Sequence, residues 1–438
     1  MKNKKAKNLI SFILFFVLLF LAIIFCSNLF EYKEARKIYK PFFNSKTNFD
    51  VIFLGTSHMY NHVLPMELWK QKGISSYNWG YSNSTPCENY YLLKDIIKYT
   101  SPKVVVADAV GIFEYENENN KKYRTDRIEQ QHVQFDKIPF SLDKYEGVKY
   151  IFDDYKDNID FLWNFIMYHN RWNELTKDDF KYEISKEMGA KFITGLGDKI
   201  FPPYTPINKS QIKNIDTTCL YCYLKTIDFC QEHNIKFLAV YIPFNASEIT
   251  QQIANYLGTI LKKYPNANYK NFLRNKSILN LKTDLCPDNY HLNYSGALKA
   301  TKKIGRYLTK HYKLDDYSKN EYWIDNYKKY LKYKIKVLKE QEFLPSYLVQ
   351  LTSDDFIVKA KVFKKELLDN KRILGLFKNA KIEHEISNKQ TDTAVLFIVR
   401  KASNNEIIDK SKFEFDPIFK NDIFKIVRIK KKKNKHKT

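Results

Sequence analysis

Three side chains in this sequence could together cleave or transfer an ester: Ser57, His291 and Asp288. A serine hydroxyl is a weak nucleophile at neutral pH, so an imidazole must remove its proton and a carboxylate must orient that imidazole. Ser57 lies in Gly55-Thr56-Ser57-His58, where the apolar run "DVIFLG" stops at a small polar turn. Asp288 and His291 are separated by two residues in "CPDNYHLNYSG", ahead of a helix that Asn293 or Ser295 would cap. Two backbone N–H groups, those of Ser57 and Gly80, are candidates to hold the oxyanion of the resulting intermediate. Gly80 closes Asn78-Trp79-Gly80, where the missing Cβ lets the backbone approach a substrate, and Asn83 is a side-chain candidate for the same task. Each residue also has an ordinary use, since serine ends strands, aspartate makes turns and histidine caps helices. The case for chemistry rests on their combination.

These residues need a scaffold that brings positions more than 200 apart to one place. The runs "DVIFLG", "ISSYNWG", "KVVVADAVG", "KFLAVYIPF" and, more weakly, "SILNLKTD" read as short buried strands. Helical patterns such as "MELWKQKG", "CENYYLLKDIIKYT", "ITQQIANYLGTILKKY" and "YSGALKATKKIGRYLTKHY" alternate with them. The expectation is an α/β fold with a parallel sheet and helices on both faces. In such a sheet, ligands bind at the carboxyl ends of the strands, and Ser57 stands at one of those ends.

The alternation stops over residues 113–215, a charged and aromatic-rich stretch too long for a loop and expected to be a helical insertion. Its Arg171 and Trp172 could grip a sugar by hydrogen bonding and stacking; packing of an amphipathic helix would use the same residue types. After a sheet domain expected over 48–344, residues 345–429 read as a small α/β or mostly β module with strands in "DFIVKAKVFKKELL", "TDTAVLFIVRK" and "IFKIVRI". Residues 430–438, "KKKKNKHKT" in the main, form a basic tail expected to be disordered.

Residues 8–30 carry no charge and are long enough to cross a hydrocarbon core of ~30 Å. No A-x-A-like cleavage site follows, and the run exceeds a signal peptide's apolar region, so a retained single-pass anchor is expected. Lysines and arginines flank it almost equally. A short cytoplasmic tail, residues 1–7, with the body outside the cytoplasm, is the expected orientation.

The net charge is +24 over 438 residues, but Lys, Asn, Ile, Tyr and Phe are abundant together, as an AT-rich genome would produce. No nucleic-acid-binding signature accompanies the charge, and no nucleic-acid partner is expected. Cys219-Leu-Tyr-Cys222 lacks a second ligand pair; with Cys230 it lies on an amphipathic helix and reads as core packing. No metal and no cofactor are expected. His58 and His62 read as structural or supporting residues, with His58 a weak candidate for substrate contact.

The three blocks, Gly55-Thr56-Ser57-His58, Asn78-Trp79-Gly80 and Asp288-Asn289-Tyr290-His291, in this order, resemble those of the SGNH, or GDSL-like, hydrolases. The resemblance covers about residues 48–112 and 215–312. It implies a flavodoxin-like sheet, a Ser57-His291-Asp288 triad, and an oxyanion hole from Ser57 and Gly80. The family's third block, G-x-N-D, is replaced here by "ADAVGIFEYENEN", without the asparagine that donates to the oxyanion. With the anchor and the histidine after the serine, the chain resembles the membrane-tethered branch that acylates surface polymers, similar to alginate O-acetyltransferases and the teichoic-acid D-alanyl transfer protein. That resemblance implies an extracytoplasmic O-acyltransferase or esterase, with O-acetyl the expected acyl group. A cell-surface polysaccharide or wall polymer would be its substrate and a membrane-bound O-acyltransferase its partner. The alternative is a non-catalytic glycan-binding or assembly protein on the same fold.

Overall fold

The computed structural model describes residues 2–31, 33–45, 47–112, 128–153, 158–180, 186–197, 217–274, 277–415 and 429–431. After α1 (Lys2–Phe30) and α2 (Lys33–Phe43), the sheet domain runs β1 (Val51–Leu54), α3 (Ser57–His62), α4 (Pro65–Lys72), β2 (Ser76–Asn78), α5 (Pro86–Ile96) and β3 (Val104–Asp108). The insertion supplies α6 (Ile128–Asp136), α7 (Leu142–Ile151), α8 (Asn164–Tyr168) and α9 (Lys177–Phe180). The sheet domain resumes with α10 (Thr217–Glu232), β4 (Lys236–Tyr241), α11 (Glu248–Leu261), β5 (Ala267–Asn271) and α12 (Tyr294–His311).

The strand order is β2-β1-β3-β4-β5, and every pairing is parallel. It is the order of doubly wound sheets whose chain reverses direction between β1 and β3, leaving a crevice at their carboxyl ends. β1 and β3 are buried at every residue. Central parallel strands are covered on both faces, which is why Val51–Leu54 and Val104–Asp108 read as unbroken apolar runs. The edge strand corrects the sequence reading. "SILNLKTD" is not a strand: Asn280 and Asp284 fold it into turns, with the Asn280 N–H donating to Asp284 Oδ2 at 2.7 Å and the Lys282 N–H to Asn280 Oδ1 at 3.1 Å. The fifth strand is "ANYKN", whose burial alternates because one side faces water.

A disulfide joins Cys87 on α5 to Cys222 on α10, with Cα atoms 4.9 Å apart. Cys222, expected simply to pack in the core, is indeed buried but is covalently bonded; Cys219 and Cys230 are buried thiols outside the disulfide. The link spans 135 positions that contain β3 and the insertion, so it ties the chain's departure into the insertion to its return.

The described part of the insertion consists of short helices and, over residues 186–197, irregular chain, and its helices lean on α1 and α2. The Phe165 N–H donates to Ser27 Oγ at 3.3 Å, and the Phe165 and Phe30 rings lie 5.9 Å apart. Within α1, Ala6–Phe30 is long and apolar enough to cross a membrane: 25 residues at 1.5 Å each make about 37 Å.

Beyond α13 (Glu321–Glu340) and α14 (Leu344–Gln350) lies a second sheet. It comprises β6 (Phe356–Val362), β7 (Glu383–Ile386), β8 (Thr393–Lys401), β9 (Ile407–Phe415) and β10 (Ile429–Lys431), with α15 (Glu366–Asp369) and α16 (Lys371–Asn379) between β6 and β7. Its order is β10-β9-β8-β6-β7. The basic tail begins later than expected: Lys430 and Lys431 pair with Glu414 and Phe413 in β10, while residues 432–438 lie outside the described set. Most of "IFKIVRI" lies outside it too. A buried ammonium fastens this module to the sheet domain. Lys334 of α13 donates to Glu67 of α4 at 2.6 Å, Ser353 at 2.9 Å and Tyr294 of α12 at 3.1 Å, and pairs with Asp355. Such a charge is tolerated because every partner is satisfied.

Reduction, or the Cys87→Ser, Cys222→Ser double change, should lower stability by about 2–5 kcal/mol while leaving the folded state recognisable by circular dichroism. Chemical denaturation with and without reductant measures this; an unchanged midpoint would show that the bond carries no load.

Candidate active site

Gly55 ends β1 with φ +145°, and a Cβ there would fall inside the van der Waals surface of the Asp108 carboxylate. Because Gly55 has none, the next residues bend over the end of β3. Asp108 Oδ2 accepts from the Thr56 N–H at 2.8 Å, the Thr56 hydroxyl at 3.1 Å and the Met59 N–H at 3.3 Å, while Oδ1 accepts from the Val110 N–H at 3.1 Å. Thr56 caps α3, and Ser57 is its first residue, half-buried at the rim. Asn78, fully buried at the end of β2, closes the other end of α3 by donating to Met59 O and Val63 O, both at 2.8 Å.

Asp288 and His291 come from a pinched loop ahead of α12. The Cys286 N–H donates to His291 O at 2.9 Å, and the Asn293 N–H to Asp284 O at 3.0 Å. Asn293 then caps α12, accepting from the Gly296 N–H at 3.2 Å. His62 ties this loop to the serine helix: its Nε2 accepts from the Leu292 N–H at 2.9 Å, which places the ring proton on Nδ1. From the far side, the C-terminal module supports the loop. Asn379 donates to Thr283 Oγ1 and Ser295 Oγ, both at 3.3 Å, and Arg372 to Lys282 O at 2.9 Å.

The outcome is a continuous chain. Ser57 Oγ lies 2.8 Å from His291 Nε2, and His291 Nδ1 lies 2.7 Å from Asp288 Oδ2. Asp288 Oδ1 also accepts the N–H groups of Tyr290 at 2.9 Å and His291 at 3.0 Å. Burial opposes its charge, but the hydrogen bonds from the His291 ring and from those two amides outweigh it and hold the carboxyl at about 2. The neighbouring imidazoles are uncharged. Burial, helped by His291, pushes His58 down to about 3, and burial with the two other rings pushes His62 well below the usual range. Of the three clustered histidines, His291 alone faces a carboxylate.

The other expected contacts fare differently. The Ser57 N–H forms no hydrogen bond among the described residues, as the first amide of a helix is free to do. The Gly80 N–H, by contrast, donates to Asn78 Oδ1 at 2.9 Å. Gly80 is needed for packing: a Cβ would meet Tyr60 N at 2.8 Å and Met59 Cβ at 2.9 Å. The Asn83 amide, at φ 55°, donates to Gln130 of the insertion. The His58 ring is buried 4.3 Å from the Phe244 ring, 5.3 Å from Tyr290 and 5.4 Å from His291, so it forms part of the wall beside the triad. Arg171 is committed elsewhere, since its guanidinium caps the end of α1 through Phe30 O and Glu31 O and pairs with Asp179 Oδ1 at 2.7 Å. These bonds engage three of the five guanidinium N–H donors in holding the end of α1 against the insertion. Trp172, next to it, is 69% exposed.

Asp108 is the residue the sequence did not single out. It lies inside the divergent third block, but only its packing under Gly55 reveals its task. Among the described residues no cluster of three or more His, Cys, Asp or Glu is arranged to hold a metal ion.

No family model and no curated protein matches the chain. Among solved structures, a gut microbial diltiazem-metabolizing enzyme, BT4096, matches at 14% identity with a TM-score of 0.20. The match covers 60% of this chain and about half of that one, 48%, and is too slight to carry an argument about either fold or activity.

Burial raises the Asp108 carboxyl to about 6, against the hydrogen bonds from Thr56, Val110 and Met59. Between about pH 4 and 6 the folded chain therefore keeps a proton that the unfolded chain has released. This group's contribution to stability falls as pH rises through that window, by about 3 kcal/mol in all. Asp108→Asn should abolish that slope in denaturation curves. It should also lower turnover of a small ester, about a hundredfold if Ser57 shifts by 1 Å. A variant with wild-type turnover would mean that the turn does not need this carboxylate.

Proposed function

We propose that this protein is a membrane-anchored serine acyltransferase or esterase of the SGNH type, acting outside the cytoplasm on a cell-surface polysaccharide or wall polymer. The Ser57–His291–Asp288 hydrogen-bonded chain is the observation that carries the reading. His291 Nε2 takes the Ser57 proton as Oγ attacks the carbonyl of an acyl donor. Asp288 holds the imidazole by Nδ1 and stabilises its cation. The Ser57 N–H receives the oxyanion, and the alkoxide leaves with the proton from His291. The acyl group then passes from Ser57 to a sugar hydroxyl, expected to give an O-acetyl ester, or to water. The apolar helix Ala6–Phe30 supports attachment to the membrane. Our reading sets the body on the outer face, with a membrane-bound O-acyltransferase as the donor's source.

One observation favours a second reading, a non-catalytic glycan-binding or assembly protein. The Gly80 amide is bonded to Asn78, so of the two expected backbone donors the Ser57 N–H is the one left for an oxyanion. Loss of one such donor typically costs about a hundredfold or more in rate. Full cellular function in a Ser57→Ala, His291→Ala double variant that still binds the native polymer would establish this second reading.

With a chromogenic acetyl ester, Ser57→Ala and His291→Ala should each lose about a thousandfold or more of the wild-type turnover. The double variant should lose no more than either alone, because the two side chains act as a unit. Equal rates in wild type and Ser57→Ala would remove the assignment.

A further inference from the structure

Where α1 leaves its apolar stretch, it walls one side of a cavity of about 440 Å³ whose other walls come from α2 and the insertion. That volume lies within the range of about 300–1,000 Å³ in which small ligands are held. Its lining combines two kinds of surface. Ile24, Phe43, Ile138, Phe140, Leu162 and Trp163 are apolar. Asp136, Lys144 and Asn164 are polar, and all three are more than nine-tenths buried.

These polar groups are not satisfied from within the protein. Neither carboxylate oxygen of Asp136 meets a donor in hydrogen-bonding geometry, and neither does Asn164 Oδ1. Leaving such acceptors buried and unmet is costly, so a ligand that donates to them is favoured. Glu31, in contrast, is already paired with Lys40 at 2.8 Å and with the Tyr39 hydroxyl. Lys144 has no ion pair among the described residues, although its ammonium is buried. Burial pushes Asp136 up to about 7, with Lys144 and the Tyr168 hydroxyl working in the opposite sense. Asp136 and Lys144 thus feel each other's charge without a direct ion pair, and the cavity presents unmet acceptors beside a buried ammonium, which suits a ligand that carries both an N–H donor cation and an anion.

Its position says where such a ligand comes from. Residues Leu9 to Leu21 of α1 are exposed apolar surface, and Ser27 and Asn28, which line the cavity, follow them by about 9–11 Å along the helix. Trp163 packs on Phe20 of α1 at 6.1 Å and stacks on Phe140 at 4.5 Å, as aromatic side chains do at a bilayer's edge. Phe140, Leu142, Tyr145, Ile159 and Ile166 of the insertion are exposed apolar or amphipathic side chains.

We infer that this cavity binds the headgroup of a membrane aminophospholipid, with the primary ammonium donating to Asp136 and Asn164 and the phosphodiester facing Lys144. The inference rests on the reading of α1 as a membrane anchor. The insertion is then a platform lying on the lipid surface, and the bound lipid fixes the body's height and tilt above the bilayer.

Full-length protein, delipidated in detergent, is offered equal amounts of phosphatidylethanolamine, phosphatidylcholine and phosphatidylglycerol, and retained lipid is counted by native mass spectrometry. One equivalent of the ethanolamine lipid should be kept, about tenfold more tightly than the choline lipid, which has no N–H to donate. Asp136→Asn should weaken that binding about tenfold, and because it removes a buried charge it should fold; Asn164→Leu serves as an independent second variant. Equal retention of all three lipids, or retention unaffected by both variants, overturns the inference. So does equal affinity for soluble phosphoethanolamine, which would make the ligand a free headgroup and not a membrane lipid. Flotation with vesicles separates the two failures. A chain that floats without lipid preference has an anchor but no headgroup site, whereas a chain that stays in the aqueous phase has neither.

Discussion

The whole arrangement turns on a single close approach, the Asp108 carboxylate packed beneath Gly55. The strand order switches between β1 and β3, and it is at the carboxyl ends of such a pair that doubly wound sheets open a crevice. A residue with a side chain at position 55 would force these two strand ends apart, because the carboxylate occupies the space a Cβ needs. With glycine there, the chain turns sharply, its amides are gathered by one carboxylate, and Ser57 is delivered to the first turn of α3. The desolvation of Asp108 is only partly offset by four hydrogen bonds that all serve the same turn.

Other contacts transmit that position outward. Asn78 grips the far end of α3, and His62 on the same helix accepts from Leu292, one residue after His291. Serine and histidine are thus referenced to one short helix, which is how residues 234 positions apart come within 2.8 Å. The C-terminal module joins this scheme as a buttress. Asn379 and Arg372 brace the loop that carries Asp288 and His291, and Lys334 locks the module to α4 and α12. A domain with no visible chemistry of its own consequently holds the histidine loop in place.

The central strands and the triad were legible for physical reasons. Strands buried on both faces leave unbroken apolar runs, and a serine at one strand end with an Asp-x-x-His ahead of a capped helix is a pattern that proximity at a sheet's rim can complete. What sequence could not reveal was set by partners distant along the chain. β5 was missed because an edge strand alternates, and "SILNLKTD" imitated a strand although Asn280 and Asp284 close it into turns. Cys87 and Cys222 are 135 positions apart, and neither one's surroundings announce the other. That Arg171 donates to the carbonyls that end α1 was equally hidden, because those carbonyls lie about 140 positions away. Gly80 kept the expected place beside the serine helix, yet its amide is held by Asn78.

The central claim is that Ser57 is a nucleophile activated by His291, with one strong amide donor left for the oxyanion. Its most direct measurement is covalent capture: the full-length protein treated with a fluorophosphonate, then read by intact mass and peptide mapping. The account predicts a single adduct on Ser57 in the wild type, formed far more slowly in His291→Ala and absent in Ser57→Ala. An unmodified wild-type protein, or an adduct rate indifferent to His291, would contradict it.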